Sequence, residues 1–222
     1  MTEQEIAARL AAYDSCTISD ALDQLGLPGA VIGLQPMTMP GQRIAGRAMT
    51  VKLGPPRDGL PKRHLGAGAI MAAAVGDVIV VEHGRSDVSG WGGLLSRGAV
   101  RKGIAAVIVD GGCRDVDESR DLGLPVFARA AVPITARGRI AEHDFACAVT
   151  IGGVTVQPGD FLVADGSGVV FVAMGDVEQV LAAASRIAAR EALMARDIDA
   201  GEPIGDVMGA DYEDMLKMET SR

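Results

Sequence analysis

Cysteine, histidine and positive charge are all in short supply in this 222-residue chain, and each shortage excludes a class of function. The three cysteines, Cys16, Cys113 and Cys147, are far apart, odd in number and without C-x-x-C spacing, so no disulfide framework is expected. That usage fits a reducing compartment, and a cytoplasmic location is the expectation. The three histidines, His64, His83 and His143, are scattered and form no zinc cluster or H-E-x-x-H; each reads as a surface or hydrogen-bonded loop residue. Lys and Arg total 21 against 29 Asp and Glu, a formal charge of -8 with a pI near 4.9. A phosphate-binding face needs clustered cations, so no nucleic-acid partner is expected. The short cluster Lys62, Arg63 and His64 reads as a solvated loop. No apolar run reaches the roughly 20 residues of a membrane span, and the N-terminus lacks a signal-peptide pattern, so no membrane partner is expected either. P-loop and G-x-S-x-G motifs are also missing.

What the chain has is a globular composition, 48% hydrophobic, at a length suited to one domain with a sizeable core over residues 1–222. Its organising stretch runs from Gly90 to Asp115. Leu94, Leu95, Ala99 and Val100 recur at helical spacing, Gly103 is placed to end that helix, and Ile104 to Val109 is an apolar run fit for a buried strand. Gly92 and Gly93 lead into the helix, where first-turn N–H groups lack partners and favour an anion. The strand empties at its carboxyl end into Asp110, Gly111, Gly112, Cys113, Arg114 and Asp115, the end where ligands sit in open α/β sheets. Arg114 offers a planar fork to a carboxylate or oxyanion, and Asp115 a hard oxygen ligand to a divalent metal. The same two residues equally suit a surface ion pair closing a turn. Cys113 reads as a packed thiol, since no histidine lies near it in sequence to activate it.

Elsewhere, Ile6, Ala7, Leu10 and Ala11 predict an N-terminal helix, and Thr17-Ile-Ser-Asp20 resembles a capping box for a second, stopped by Gly26. Residues 44–53 predict a strand, 66–74 a helix, and Gly76–Gly84 a buried strand whose turn-entered pattern recurs at Gly159–Gly166. A short helix is expected over Asp117–Leu122 and a strand over Leu124–Ala128. From Ala148 to Val172, short segments punctuated by Gly152-Gly153, Pro158-Gly159 and Gly166-Ser-Gly168 predict hairpins. The fold expected is a layered α/β domain with a partly antiparallel, barrel-like sheet. A last helix, about Asp176 to Ala200, carries Val177, Val180, Ala184 and Ala188 on one stripe, with Glu191 either on that apolar face or past its end in solvent. The acidic tail after Gly201 reads as packing on a neighbouring subunit.

A Rossmann site is poorly matched, because Leu95 stands where the third glycine belongs, although Asp110 has the place of its acidic residue. The remaining combination of one oxygen ligand, one arginine and one helix start suits a small 2-oxo acid chelated to Mg²⁺ or Mn²⁺, held by N–H groups near Gly93, Leu94 and Leu95.

The run G-G-L-L-S-R-G-A-V-R-K-G-I-A-A-V-I-V-D-G-G-C-R-D, with Thr17–Leu22, Gly46–Val51 and Gly76–Val80, resembles the RraA-like family. Its enzyme branch comprises class II 4-hydroxy-4-methyl-2-oxoglutarate / 4-carboxy-4-hydroxy-2-oxoadipate aldolases that also decarboxylate oxaloacetate. The resemblance implies a swivelling β/β/α domain in homotrimers or homohexamers, with sites between subunits and residues 175–222 as an inter-subunit helix and tail. It implies pyruvate held by the metal, by Arg114 and by the amides of Leu94 and Leu95, with Asp115 as metal ligand. Glu191, or with a weaker match Glu202, is implied as a carboxylate reaching the adjacent subunit's site. Gly93 departs from the pattern, since the aldolases carry an acidic residue there; Asp87 or Glu82 takes over its role, or the substrate differs. The expected function is a metal-dependent carbon–carbon lyase releasing pyruvate through an enolate. The rivals are a protein-binding ribonuclease regulator and, more weakly, a small-molecule methyltransferase.

Overall fold

The computed structural model describes residues 1–60 and 63–209. In chain order it contains α1 (Glu3–Leu10), α2 (Ser15–Leu25), β1 (Ala30–Val31), β2 (Gln35–Pro36), β3 (Ile44–Gly54), α3 (Ala67–Ala72), β4 (Val78–Glu82) and α4 (Gly93–Lys102). Then follow β5 (Ala106–Cys113), α5 (Val116–Asp121), β6 (Val126–Ala131), β7 (Ala141–Phe145), β8 (Val149–Ile151), β9 (Val154–Val156), β10 (Phe161–Ala164), β11 (Val169–Val172), α6 (Val177–Asp199) and α7 (Ile204–Val207).

One curled sheet runs β1-β11-β10-β3-β4-β5-β6-β2, with β7 also on β3. Its centre, β3 to β6, is parallel, and the flanking pairs are antiparallel. The eleven-residue β3 is the hinge of the curl: residues 44–47 pair with β10, 48–52 with β4, and 51–54 with β7. The expected layered α/β architecture with a partly antiparallel sheet and a long C-terminal helix is what is observed.

Alternation along the strands sorts side chains into separate packed layers. Ile79, Val81, Val107 and Val109 face α3 and α4 with Trp91, Leu95 and Ala99. Val78, Val80, Ala106 and Ile108 point into the curl with Phe127, Leu162 and Phe171, closed by Val149, Ile151 and Val156 of the β8–β9 hairpin. Phe161, Val163, Val170 and Val172 carry α1, α2 and the first half of α6. The central strands are therefore buried on both faces, which is why they read as continuous apolar runs.

Several local expectations move. Asp14, not Thr17, caps α2: its carboxylate accepts the Thr17 N–H and hydroxyl, both at 2.8 Å, so the supposed box lies inside the helix. The true capping box is Thr2 with Glu5 on α1. α3 is shorter than expected, α5 starts one residue earlier, and β6 is shifted to Val126–Ala131. Gly103, at φ +81, ends α4 as expected, and Gly152 and Gly153 turn the β8–β9 hairpin with positive φ. The stripe on α6 leaves the core after Ala184, so Glu191 is exposed. The tail beyond 209 lies outside the described residues.

Candidate active site at the end of the central strand

The strand expected to stop at Val109 continues to Cys113, with a register shift between Val109 and Gly112. The two glycines let a neighbouring loop lie against the extension. A Cβ on Gly111 would stand 2.4 Å from His83 Cδ2 and 2.5 Å from the Arg85 carbonyl, and one on Gly112 2.7 Å from the Val88 carbonyl. Loop 83–92 pairs there as an added strand: Gly112 N–H donates to Arg85 O, Gly90 N–H to Gly112 O and Arg114 N–H to Trp91 O. This pairing delivers the start of α4 beside Arg114 and Asp115.

Asp115 sits at φ +55, a left-handed conformation that aspartate tolerates better than most residues. Its Oδ2 accepts the Gly93 N–H at 2.9 Å and lies 3.2 Å from Arg114 Nε, while Oδ1 has no hydrogen-bond partner among the described residues. Asp115 thus caps the first amide of α4, where Gly92 has no side chain to do so, and the Leu94 and Leu95 amides have no hydrogen-bond partner among the described residues. Gly92, Gly93, Leu94, Leu95 and Arg114 line a cavity of about 400 Å³, which Arg63, His64, Arg137 and Glu142 also line. The sequence-predicted Arg114, Asp115 and α4 start therefore converge.

The Leu94 side chain does not face the core as its spacing suggested. It is 78% exposed, and Val100 is exposed too. Trp91 takes the space instead: it is buried just before α4 and donates from Nε1 to Ser96 Oγ at 2.9 Å. Ser96 meets Ser119 Oγ at 2.8 Å, and Ser119 donates to the Asp115 carbonyl at 3.1 Å, bracing α4 against α5. This brace had no sequence signal, because Trp91 lies before α4 and Ser96 five residues on, outside the i+3 or i+4 spacing of helix neighbours.

Gly93 does leave a gap, and a third carboxylate fills it. A Cβ there would stand 1.9 Å from Glu118 Oε2; Glu118 reaches over from α5, and its Oε1 takes Arg97 Nη2 at 2.8 Å. The expected substitutes are engaged elsewhere. Asp87 forks with Arg85, and Glu82 accepts the Thr150 N–H at 2.7 Å and lies 3.4 Å from Lys52.

Asp110 has no ligand role open to it: it pairs with Arg129 and accepts the Gly152 N–H at 2.8 Å. Burial, with Asp115 nearby, pushes the Cys113 thiol up to about 11, which fits the packed-thiol reading. His83 is a hydrogen-bonded loop residue, as one of the two readings had it, and not a surface one. It is buried, donates from Nε2 to Val88 O at 2.7 Å, and burial pushes its pKa down. Arg63 and His64 are exposed loop residues, as expected, but the Arg63 guanidinium is also engaged: it pairs with the buried Glu142 and lies 4.9 Å from the Phe145 ring centre; Lys62 lies outside the described residues.

Neither C-terminal carboxylate lines this cavity within one chain. Desolvation, then Asp20 and Asp14, raise the Glu191 pKa, and Glu202 lines a separate groove with Arg186 and Asp206.

No group of three His, Cys, Asp or Glu that could hold a metal occurs among the described residues. Asp115 Oδ1, with Glu118 near, does fit Mg²⁺ or Mn²⁺, because such ions keep several waters and take one or two protein carboxylates plus substrate oxygens.

Three similarities bear on this site. Protein DlpA of Legionella pneumophila is 31% identical over 181 residues, 81% of this chain, which spans only 29% of that protein's length. A putative 4-hydroxy-4-methyl-2-oxoglutarate aldolase of Halalkalibacterium halodurans is 32% identical over 170 residues, 76% of this chain and 77% of that one. The structure of Streptomyces coelicolor RraAS2, described as an unusual member of the RNase ES inhibitor RraA protein family, matches at a TM-score of 0.77 and 26% identity, over 86% of this chain and 96% of that one. The family profile described as RraA-like, Aldolase/RraA, matches residues 15–171, which include the whole α4–β5–α5 unit, and the chain belongs to that family.

Proposed function

We propose that the chain is a divalent-metal-dependent carbon–carbon lyase that cleaves a 4-hydroxy-2-oxo diacid to pyruvate through an enolate, and decarboxylates oxaloacetate at the same site. The observation that carries this reading is the Asp115 carboxylate, tied by Oδ2 to the start of α4 and to Arg114, with Oδ1 open beside the cavity.

In this reading the Leu94 and Leu95 amides, with the helix dipole behind them, bind the carboxylate next to the keto group. Arg114 turns its guanidinium to the keto oxygen, where negative charge builds up as the carbon–carbon bond breaks. Asp115, with Glu118 beside it, would hold Mg²⁺ or Mn²⁺, and the ion when bound would supply Lewis-acid stabilisation of the developing negative charge. Glu118 Oε2, in the space a side chain at position 93 would fill, takes the proton of the 4-hydroxyl. Glu191 of a neighbouring copy in a homotrimer or homohexamer completes the site, with Glu202 as the alternative.

The test is purified protein with Mg²⁺ and either oxaloacetate or a 4-hydroxy-2-oxo diacid, with pyruvate followed continuously. Metal-dependent pyruvate is expected; none from any such substrate sinks the reading. The likeness to RraAS2 favours one alternative, a ribonuclease regulator acting through its surface. Capture of a ribonuclease from extract, with no response to metal titration, would decide for it.

A further inference from the structure

The cavity carries more positive charge than one monocarboxylate answers. Besides Arg114 and the α4 amides, two further segments contribute the cations Arg63 and Arg137, against a single lining carboxylate, Glu142. That carboxylate is already satisfied from within. It is buried, pairs with Arg63 Nε and accepts the Gly66 N–H at 2.6 Å.

The effect on Arg63 is to fix it. Glu142 holds one edge of the guanidinium, and the Phe145 ring, 4.9 Å away, lies under its face. Neither Nη group has a partner among the described residues, so both are available to fork onto an anion. No ion pair to Arg137 occurs among the described residues, which puts a second cation on the same lining. A buried carboxylate whose partners are a backbone amide and a cavity-lining arginine makes that arginine a preorganised receptor, because little side-chain entropy is left to lose. The volume, about 400 Å³, leaves room beyond a three-carbon acid, within the range of roughly 300–1,000 Å³ typical of small-molecule sites.

We infer that Arg63 forms a second anion subsite that reads the distal carboxylate of a dicarboxylate 2-oxo acid. Glu142 is the positioning residue that holds the guanidinium, and Arg137 is an outer arm. The inference rests on the proposed function for the orientation of the substrate, but its test is binding.

Affinities of the Mg²⁺-loaded full chain for 2-oxoglutarate and 2-oxobutyrate, two and one carboxylates on a 2-oxo acid, are compared by titration calorimetry. The dicarboxylate is expected to bind at least about tenfold tighter, the least due to one charge-assisted pair. Arg63→Met should bring that ratio below about twofold, Arg63→Lys should keep part of it, and Glu142→Gln should reduce it with Arg63 intact. If Arg63→Met fails to fold, Arg137→Ser, in an exposed loop, should still lower the ratio about threefold. Equal affinities in the wild type, or losses that leave the ratio unchanged in every variant, overturn the subsite. Turnover without the preference sinks the subsite alone; the preference without turnover sinks the lyase reading and leaves the subsite standing.

Discussion

Two arginine–aspartate pairs take their aspartates, Asp110 and Asp115, from the carboxyl-terminal part of β5 and just beyond it, and they do opposite things. Asp110 and Arg129, with side chains 12% and 30% exposed, are saturated: Asp110 also takes the Gly152 N–H, and Arg129 Nη1 donates to the Ile32 carbonyl at 3.1 Å. Arg114 and Asp115, 40% and 38% exposed, are joined by one loose contact of 3.2 Å and keep an open carboxylate oxygen. The first pair ties β5 and β6 to the β8–β9 hairpin. The second keeps its charges at the surface, half-exposed and only partly engaged. Identical residue types are thus saturated in one place and left open in another according to how many partners the fold provides.

The contrast is tested hardest at the open pair. Arg114→Met and Asp115→Asn are each expected to cost about 3–4 kcal/mol of barrier, the scale of a lost oxyanion donor, read as a fall in pyruvate formation. Their urea midpoints should stay near wild type, since an exposed pair contributes about 1 kcal/mol or less. Asp110→Ala should show the reverse: a loss of about 3 kcal/mol in urea unfolding, the low end for a buried pair losing one partner, with activity per folded molecule retained.

A smaller effect is expected at the relocated carboxylate. Glu118→Ala should lower kcat about a hundredfold, the low end for general acid–base catalysis, and Gly93→Asp in that background should restore part of it. If Gly93→Asp restores nothing, Glu118 does not stand in for a side chain at 93.

The smallest effect is at His83, behind loop 83–92. Its folded pKa lies below the ordinary 6.5, so the unfolded chain binds the extra proton first as pH falls. Stability from neutral His83 is therefore full above that value and is lost as pH drops below it. His83→Gln should flatten the dependence of the urea midpoint between pH 7 and 6.

Much of the fold was legible because it is written locally. Apolar runs buried on both faces mark β4 and β5, Gly103 closes α4, and Gly152-Gly153 turns a hairpin. Helix phase was less legible: spacing put Leu94 and Val100 inward, but the bulk of Trp91 and the α5 contact through Ser96 and Ser119 rotated that face away. The basic cluster is the exposed loop it reads as, but its ion pair was not legible because the partner of Arg63, Glu142, is 79 residues away. Position along the chain pointed to Asp87 and Glu82 as substitutes near Gly93, whereas Glu118 comes from the next helix, beyond the strand.

By itself the sequence determined the α4–β5–α5 unit, its glycine punctuation and the presence of an arginine and an aspartate where it ends, because periodicity, capping and steric allowance act within a few residues. Only the tertiary structure decided which charges are satisfied and which stay open. Satisfaction depends on donors and acceptors brought from distant segments, as Gly152 closes Asp110, Glu142 fixes Arg63 and Glu118 fills the space beside Gly93.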